Sequence, residues 1–378
     1  MHNKNILFVV RSLNPGGAER QIVNLAKGLK NRGYNVFVAP FCYSDGCFEK
    51  DLLESGICVY PLGKRRVWDL LSCFWRLLFI IRHKNPGILH SYLPGSNLVA
   101  LLFKFLFPGL KIIWGVRSSC RLPKFCSIRI NLILKLESFF SCFADHIIIN
   151  SYAGKDHFVK KGFPAGKVTV VSNGIDTDYF RPDRAAGCAV RSEWGIDKNA
   201  KLIGIVGRIE FLKGYDTFIE AASFLARQRK DVMFVCVGND YERYKIKMLA
   251  LSCKLGLKNR IIWVGQRNDM PQVYNAFEIL SSCSLCEGFS NVVSEAMACG
   301  ITCVATDVGD TAFIMGGIGK IVQTGQSEEL AQAWSDILNL SAQERELLSQ
   351  RARNRIADEF NLEKLVNKTE SIISRIAA

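Results

Sequence analysis

The chain has 378 residues, of which 49% are hydrophobic and 22% charged, with no low-complexity tract; this excludes a disordered or fibrous protein and implies more than one domain core. Its 14 cysteines lack framework spacing and its opening residues read as a strand and a glycine turn rather than a leader, so a disulfide scaffold is excluded and a reducing cytosol is expected. The net charge of +14 is uneven: residues 1–180 hold 24 Lys and Arg against 11 Asp and Glu, a net +13, which implies an anionic partner such as nucleic acid or an anionic membrane surface.

In chain order, residues 6–10 form a β-rich run ended by Pro15-Gly16-Gly17. Residues 18–31 have helical spacing (Ala18, Ile22, Leu25, Ala26, Leu29), and Gly33 follows as a stop. Strands are expected at 36–41, 59–62, 88–90, 112–116, 147–149 and 168–171, with a helix at 70–81 and helical stretches between the later strands. A second series begins near 202. It has strands at 202–207, 233–237 and 261–264, helices at 217–228 and 244–254, a helix at 292–299, a strand at 301–306 and a helical end from 328 to 376. Alternation of this kind predicts parallel sheets with helices on both faces. A linker is expected near 172–185, where Ser172-Asn173-Gly174 and Arg181-Pro182 interrupt the pattern. No run reaches the length of a membrane span, because Arg76 interrupts 70–81 and Lys104 interrupts 98–107.

The stretch 285–306 carries the most chemistry. Glu287 stands in a loop with Gly288, Phe289, Ser290 and Asn291, and Glu295 lies two turns along the following helix. Helix starts hold phosphates through their amides and dipole, and a carboxylate further in can accept ribose hydroxyls. That pattern fits a nucleotide diphosphate-sugar. In a second motif, Gly207-Arg208-Ile209-Glu210-x-x-Lys213-Gly214, Arg208 and Lys213 share a strand-to-helix loop where both can reach one diphosphate. Cys283 and Cys286 form a lone C-x-x-C with no partner pair at zinc spacing, and read as residues of a buried strand end.

The window from Glu287-Gly288-Phe289 to Glu295-Ala296-Met297-Ala298-x-Gly300 resembles the E-x7-E signature of retaining family-4 glycosyltransferases, which have the GT-B fold. The resemblance implies an α/β chain of two Rossmann-like, doubly wound domains facing across a cleft. It covers essentially the whole chain and is strongest from 168 to 306. The expected organisation is a basic acceptor-side domain at 1–175, a nucleotide-sugar-binding domain at 176–360, and a C-terminal helix at 361–378 packing back on the first domain. The resemblance implies that Arg208 and Lys213 bind the donor diphosphate and stabilise the leaving group. It places Glu287 at the donor sugar, Glu295 at the ribose, and Ser290, Asn291 and Val292 at the phosphates. Gly16 and Gly17 match a glycine loop that closes over the donor, and Gly265-Gln266 matches the place where relatives hold the base. Asn173-Gly174-Ile175-Asp176 resembles the family's hinge motif, so Asp176-Thr177-Asp178 is not read as a metal triplet, and no metal or other cofactor is expected.

Two departures stand out. His90-Ser91-Tyr92 has Tyr92 where relatives often have a second His, and Arg117 followed by Ser118 stands where many members place a His. Both Arg117 and the pair His90 and Tyr92 are placed near the sugar and acceptor, but Arg117 cannot act as a base. Basic segments with aromatics, 64–84 (Lys64, Arg65, Arg66, Trp68, Trp75, Phe79) and 103–133 (Phe105, Lys124, Phe125, Arg129), suit a membrane interface.

The expected activity is therefore a metal-independent hexosyl transfer from a nucleotide-sugar, expected to be UDP-linked, to a lipid-linked or membrane-borne glycan in cell-surface polysaccharide or lipopolysaccharide synthesis. The expected location is the cytoplasmic face of an inner membrane. Rivals are a nucleotide-sugar 2-epimerase of the same fold, a degenerate donor-binding subunit, and a polyanion-binding protein. The acidic pair Glu287 and Glu295 counts against the last, and no nucleic acid is expected.

Overall fold

The computed structural model describes residues 3–14, 16–43, 46–66, 69–117, 128–240 and 243–377. Two compact units emerge: Met1–Gly174 together with Leu362–Ala378, and Ile175–Asn361.

The first unit contains β1 (Asn5–Val10), β2 (Asn35–Pro40), β3 (Cys58–Val59), β4 (Ile88–Tyr92), β5 (Lys111–Val116), β6 (His146–Ile149) and β7 (Val168–Val170). They pair in parallel in the order β3-β2-β1-β4-β5-β6-β7. Its helices begin with α1 (Gly17–Asn31), α2 (Cys47–Glu54), α3 (Leu70–Lys84), α4 (Ser96–Leu106), α5 (Ile128–Phe140) and α6 (Tyr152–Lys160). Leu77 and Ile81 of α3, Phe103 of α4 and Phe158 of α6 pack against Leu7, Leu89, Ile112 and Trp114 on one sheet face. Strands covered on both faces need apolar side chains in both directions, which is why β1 reads as a nearly continuous apolar run.

The second unit contains β8 (Lys201–Val206), β9 (Val232–Val237), β10 (Ile261–Val264), β11 (Ile279–Ser282), β12 (Thr302–Thr306) and β13 (Lys320–Val322), all parallel, in the order β10-β9-β8-β11-β12-β13. Its helices are α7 (Arg184–Glu193), α8 (Tyr215–Gln228), α9 (Tyr244–Lys254), α10 (Met270–Asn275), α11 (Asn291–Ala298), α12 (Thr311–Met315), α13 (Ser327–Leu338) and α14 (Ala342–Glu359). Trp334 of α13 packs fully buried on Phe218 of α8 and Phe234 of β9, at ring distances of 5.3 and 5.9 Å. The final helix, α15 (Leu362–Ala377), belongs to the first unit. Its Leu365 and Ile372 join Ile22 and Leu25 of α1 against Ile6 and Phe8, on the sheet face opposite α3.

Three element-level expectations change. The strand at 59–62 shortens to β3, and beyond it Tyr60 N to Val38 O and Leu62 N to Pro40 O, each at 2.8 Å, carry the pairing with β2 past Pro61, whose position faces the open edge. The helical end at 328–376 is three helices. Ser341 and Glu344 form a capping box that starts α14 afresh, and Phe360 and Asn361 separate it from α15. The short elements α2, α7, α10, α12 and β13 had no signal strong enough to be read, and β11 was anticipated only as the strand end at Cys283.

The first unit also holds two buried histidines. His146 Nε2 lies 2.9 Å from Thr169 Oγ1, and burial pushes its imidazole down to about 4. His90 is held well below the usual histidine range by burial and then by the Arg117 and His146 charges. Both are neutral in the folded chain at neutral pH, while the unfolded chain protonates them near pH ~6.5. The unfolded state then binds more protons, so stability is full above about pH 6.5 and falls as pH drops towards ~4. The urea midpoint should fall between about pH 7 and about pH 5, and His146→Gln should flatten that slope. A pH-independent midpoint would contradict this assignment.

Candidate active site

In the second sheet the strand order reverses between β8 and β11, neighbours in space but not in sequence. Ligands of such sheets bind beyond the carboxyl ends of the strands at this switch point. Both strong motifs emerge there, 207–214 after β8 and 283–290 after β11.

The local backbone explains how they meet. Gly214, at φ +64°, ends a single turn at Phe211–Lys213 and starts α8; a Cβ there would stand 2.0 Å from the Cys283 carbonyl oxygen. Glycine therefore lets the first loop lie directly on the end of β11, and Leu285 N bonds Leu212 O at 2.9 Å across the junction. The contact brings Lys213 Nζ to Glu287 Oε1 at 2.5 Å, and Ser284 Oγ donates to the same oxygen at 2.7 Å. The far side of the Glu287 loop is fixed by Asp310 N donating to Gly288 O at 2.9 Å. Both members of the ion pair are largely shielded, with side-chain exposures of 23% and 16%. An anion arriving here meets an ammonium already aimed by its carboxylate partner.

Ser290 caps α11, its hydroxyl accepting from Val293 N at 3.5 Å. The amides of the first turn, including Asn291 and Val292, point out of the helix start beside the Glu287 loop. One turn on, Glu295 is only 8% exposed, and its Oε2 accepts from Tyr274 Oη at 2.8 Å. That bond fixes the orientation of the carboxylate. Arg208 is 62% exposed and reaches Glu210 Oε1 at 2.9 Å. A flexible, exposed guanidinium tethered by an acid can swing to a phosphate with little rearrangement.

Three neighbouring strands, β8, β9 and β10, each end in Val-Gly: Val206-Gly207, Val237-Gly238 and Val264-Gly265. Gly238 packs so closely that a Cβ would stand 1.9 Å from the Gly207 carbonyl oxygen. Gly265 and Gln266 are exposed, and Gln266 Oε1 accepts from Asn239 Nδ2 at 2.5 Å. This edge of the sheet thus presents main chain rather than side chains. The Asp176 carboxylate is occupied otherwise: its Oδ1 accepts from the Asp178 and Tyr179 amides at 3.1 and 3.0 Å. Cys283 directly follows β11 and is buried, which pushes its thiol up to about 12.

The first unit gathers a separate set at the carboxyl ends of β4 and β5. Arg117 donates through Nη2 to Tyr92 Oη and through Nη1 to Asn173 Oδ1, each at 2.8 Å. His90 is fully buried between the Phe8 and Tyr92 rings, and neither ring nitrogen has a hydrogen-bond partner among the described residues. Gly16 precedes α1 and Gly17 opens it, after β1. Further along α1, the buried Gln21 amide clamps the Gly174 main chain in both directions, at 2.9 and 2.8 Å.

In the second unit the structure therefore brings together Gly207, Arg208, Lys213, Glu287, Ser290, Asn291, Val292 and Glu295, with Gly265 and Gln266 two strands away. In the first it brings together Tyr92 and Arg117, with His90 beneath them. Sequence reading missed Gln21, Gly238, Tyr274 and Ser284, and quoted Glu210 in the 207–214 motif without its pairing to Arg208. The repeated Val-Gly was a usable signal for Gly238; the others carry none. Ser118, Trp68, Lys124 and Phe125 lie outside the described residues.

Comparison with known proteins bears on the whole arrangement. Residues 189–355 match the family described as Glycosyl transferases group 1, and residues 15–179 match Glycosyltransferase Family 4. The chain is 31% identical over 166 residues to the lipopolysaccharide core biosynthesis mannosyltransferase LpsB of Rhizobium meliloti, covering 43% of this chain and 44% of that protein. It is 26% identical over 215 residues to the UDP-Gal:α-D-GlcNAc-diphosphoundecaprenol α-1,3-galactosyltransferase of Escherichia coli, covering 54% of each. The chain thus spans about half the length of these curated relatives. Among solved structures, HepE of Anabaena in complex with UDP and glucose superimposes with a TM-score of 0.87 at 23% identity, over 98% of this chain and 99% of that one. WaaG, a glycosyltransferase involved in lipopolysaccharide biosynthesis, gives 0.75 at 18% identity, over 97% and 99%.

Proposed function

Because the chain belongs to the family-4 glycosyltransferases and has their GT-B fold, we propose that it transfers a hexosyl group from a UDP-sugar, with retention at the anomeric carbon, to a lipid-linked or membrane-borne glycan. The observation that carries this reading is the meeting of Lys213, Glu287 and the α11 start at the β8–β11 switch point.

In this reading the diphosphate lies on the Lys213 ammonium, the Arg208 guanidinium and the first-turn amides of α11. These groups take the negative charge that grows on the departing diphosphate as the sugar–oxygen bond breaks. They do so without a metal ion. Glu295, fixed by Tyr274, receives the ribose hydroxyls, and Glu287 receives hydroxyls of the donor sugar. The glycine-ended strands β8 to β10 let the base lie against main chain at Gly265 and Gln266. Arg117 is permanently cationic, so it positions a phosphate or sugar hydroxyl rather than moving a proton; Tyr92 and His90 lie on the same acceptor or sugar side. HepE structures that contain UDP and UDP-glucose support the donor class, and the diphosphoundecaprenol substrate in the name of the E. coli relative supports the acceptor class. A place on the cytoplasmic face of the membrane accords with an acceptor of that kind.

The test is a transfer assay with a panel of UDP-sugars and vesicles carrying a sugar-diphosphoundecaprenol acceptor. Acceptor-dependent UDP release, with the donor's anomeric configuration kept in the product, is the expected result. Inversion overturns the mechanism. A free nucleotide-sugar epimerised at C2 without any acceptor would make the protein an epimerase.

A further inference from the structure

The helices that cover one face of the first sheet are apolar on their outer side as well. On α3, Leu71, Trp75 and Phe79 follow one another at four-residue spacing and are 74%, 64% and 61% exposed, while Cys73, Leu77 and Ile81 of the same helix are buried in the core. A helix between a core and water is polar on its outer side. On α4 the most exposed large apolar side chain is Phe105, at 68%, and among the described side chains of α5 it is Phe139, at 72%. The helices adjoin. Phe74 of α3 stacks on Phe103 of α4 at 5.0 Å, and Phe105 of α4 lies 6.2 Å from Phe143 just beyond α5. The exposed groups therefore belong to one continuous surface, of the kind that marks an interaction site.

Charge identifies the occupant. The sequences of α3, α4 and α5 contain six Lys and Arg and one acid, Glu137, which is buried. Arg76, Arg82 and Lys135 are exposed beside the apolar stripes. A nucleic acid offers phosphates and bases that stack on aromatic rings, but no apolar phase for the exposed Leu71, Leu102 and Leu106. A lipid leaflet offers both, an anionic headgroup layer over an acyl boundary. Long basic side chains can lie along the apolar surface and keep their charges at the headgroups. Among the described residues no helix is long and apolar enough to cross a membrane, so the geometry is that of a face lying on the surface.

We propose that the outer face of α3, α4 and α5 inserts into the headgroup–acyl boundary of an anionic leaflet, with Trp75, Phe79, Phe105 and Phe139 as the inserted groups and Arg76, Arg82 and Lys135 on the headgroups. Its use in acceptor capture rests on the membrane-borne acceptor proposed above. The insertion itself is measurable without substrate.

The experiment is flotation of the full chain with vesicles of phosphatidylcholine alone and of phosphatidylcholine with phosphatidylglycerol. The chain should float with the second, and added salt should weaken binding without abolishing it, because the apolar contribution is not screened. The combined variant Trp75→Ser, Phe79→Ser, Phe105→Ser, Phe139→Ser should lower partitioning by roughly a hundredfold or more. Its melting temperature and its stabilisation by UDP should stay as in the wild type, which separates this result from failure of the fold or of the donor site. Trp75 emission should shift to the blue on the anionic vesicles, and Trp75→Phe should remove that change. Three outcomes overturn the proposal: no flotation of the wild type, unchanged flotation of the combined variant, or a wild-type dimer that the same substitutions dissociate without any vesicle binding.

Discussion

Lys213→Ala should weaken UDP binding by about a hundredfold, the effect of losing a charge-assisted contact to a partly shielded diphosphate. Two losses add. The ammonium that meets the phosphates is gone, and Glu287 keeps, among the described residues, a neutral Ser284 hydroxyl, so a carboxylate without its cation faces an incoming dianion. The companion variant separates the two. Glu287→Gln removes the competitor for the ammonium, so free UDP should bind at least as tightly as to the wild type, while transfer from the full UDP-sugar should fall because its sugar hydroxyls lose their acceptor. Calorimetric titration of both variants checks the pair. Equal affinity of Lys213→Ala and wild type would remove Lys213 from the donor site.

Gly214→Ala should lower stability by about 3 kcal/mol or more, because an L-residue at φ +64° is disfavoured and its Cβ would stand 2.0 Å from the Cys283 carbonyl oxygen. For a unit of this size that is a fall in melting temperature of roughly 6–12 °C. The neighbour that must yield is backbone at the end of β11, so the Lys213–Glu287 pair should separate and donor affinity should fall with stability. Ala at Gly265, where a Cβ meets nothing within 4 Å, should leave stability unchanged and serves as the control. A melting temperature for Gly214→Ala equal to that of the wild type would mean that the two loops do not lie against each other.

The parallel sheets and most of their strands were legible because buried parallel strands are nearly continuous apolar runs, and helices such as α1, with Ile22, Leu25, Ala26 and Leu29 on its buried side, carry their own spacing. The candidate donor motifs were legible because each is local: Arg208 and Lys213 share one loop, and Glu287 and Glu295 share one loop and helix. What could not be read depends on strand order. Tyr274 reaches Glu295 from α10, Lys213 meets Glu287 from the end of another strand, and Gln21 reaches Gly174 across 153 residues. None of these partners has a local pattern, because nothing in the neighbouring residues says which strand will lie beside which. Arg117 was visible as a departure from the family pattern, but its fork to Tyr92 and Asn173 was not. The outer face of α3 was legible only in part: Trp75 and Phe79 stood out as interface aromatics, but nothing separated them from core side chains. Composition places Trp75 and Phe79 on an apolar helix, and only burial distinguishes a core side chain from an exposed one.

The most direct measurement of the central claim is the melting temperature of the wild-type chain with UDP, other nucleoside diphosphates and a panel of nucleotide-sugars, with a chelator present throughout. A ligand that binds only the folded state must raise it. A rise with UDP and with one UDP-sugar, unaffected by the chelator, is the predicted result. The same melting temperature with every nucleotide would contradict a donor site built from Arg208, Lys213, Glu287 and Glu295.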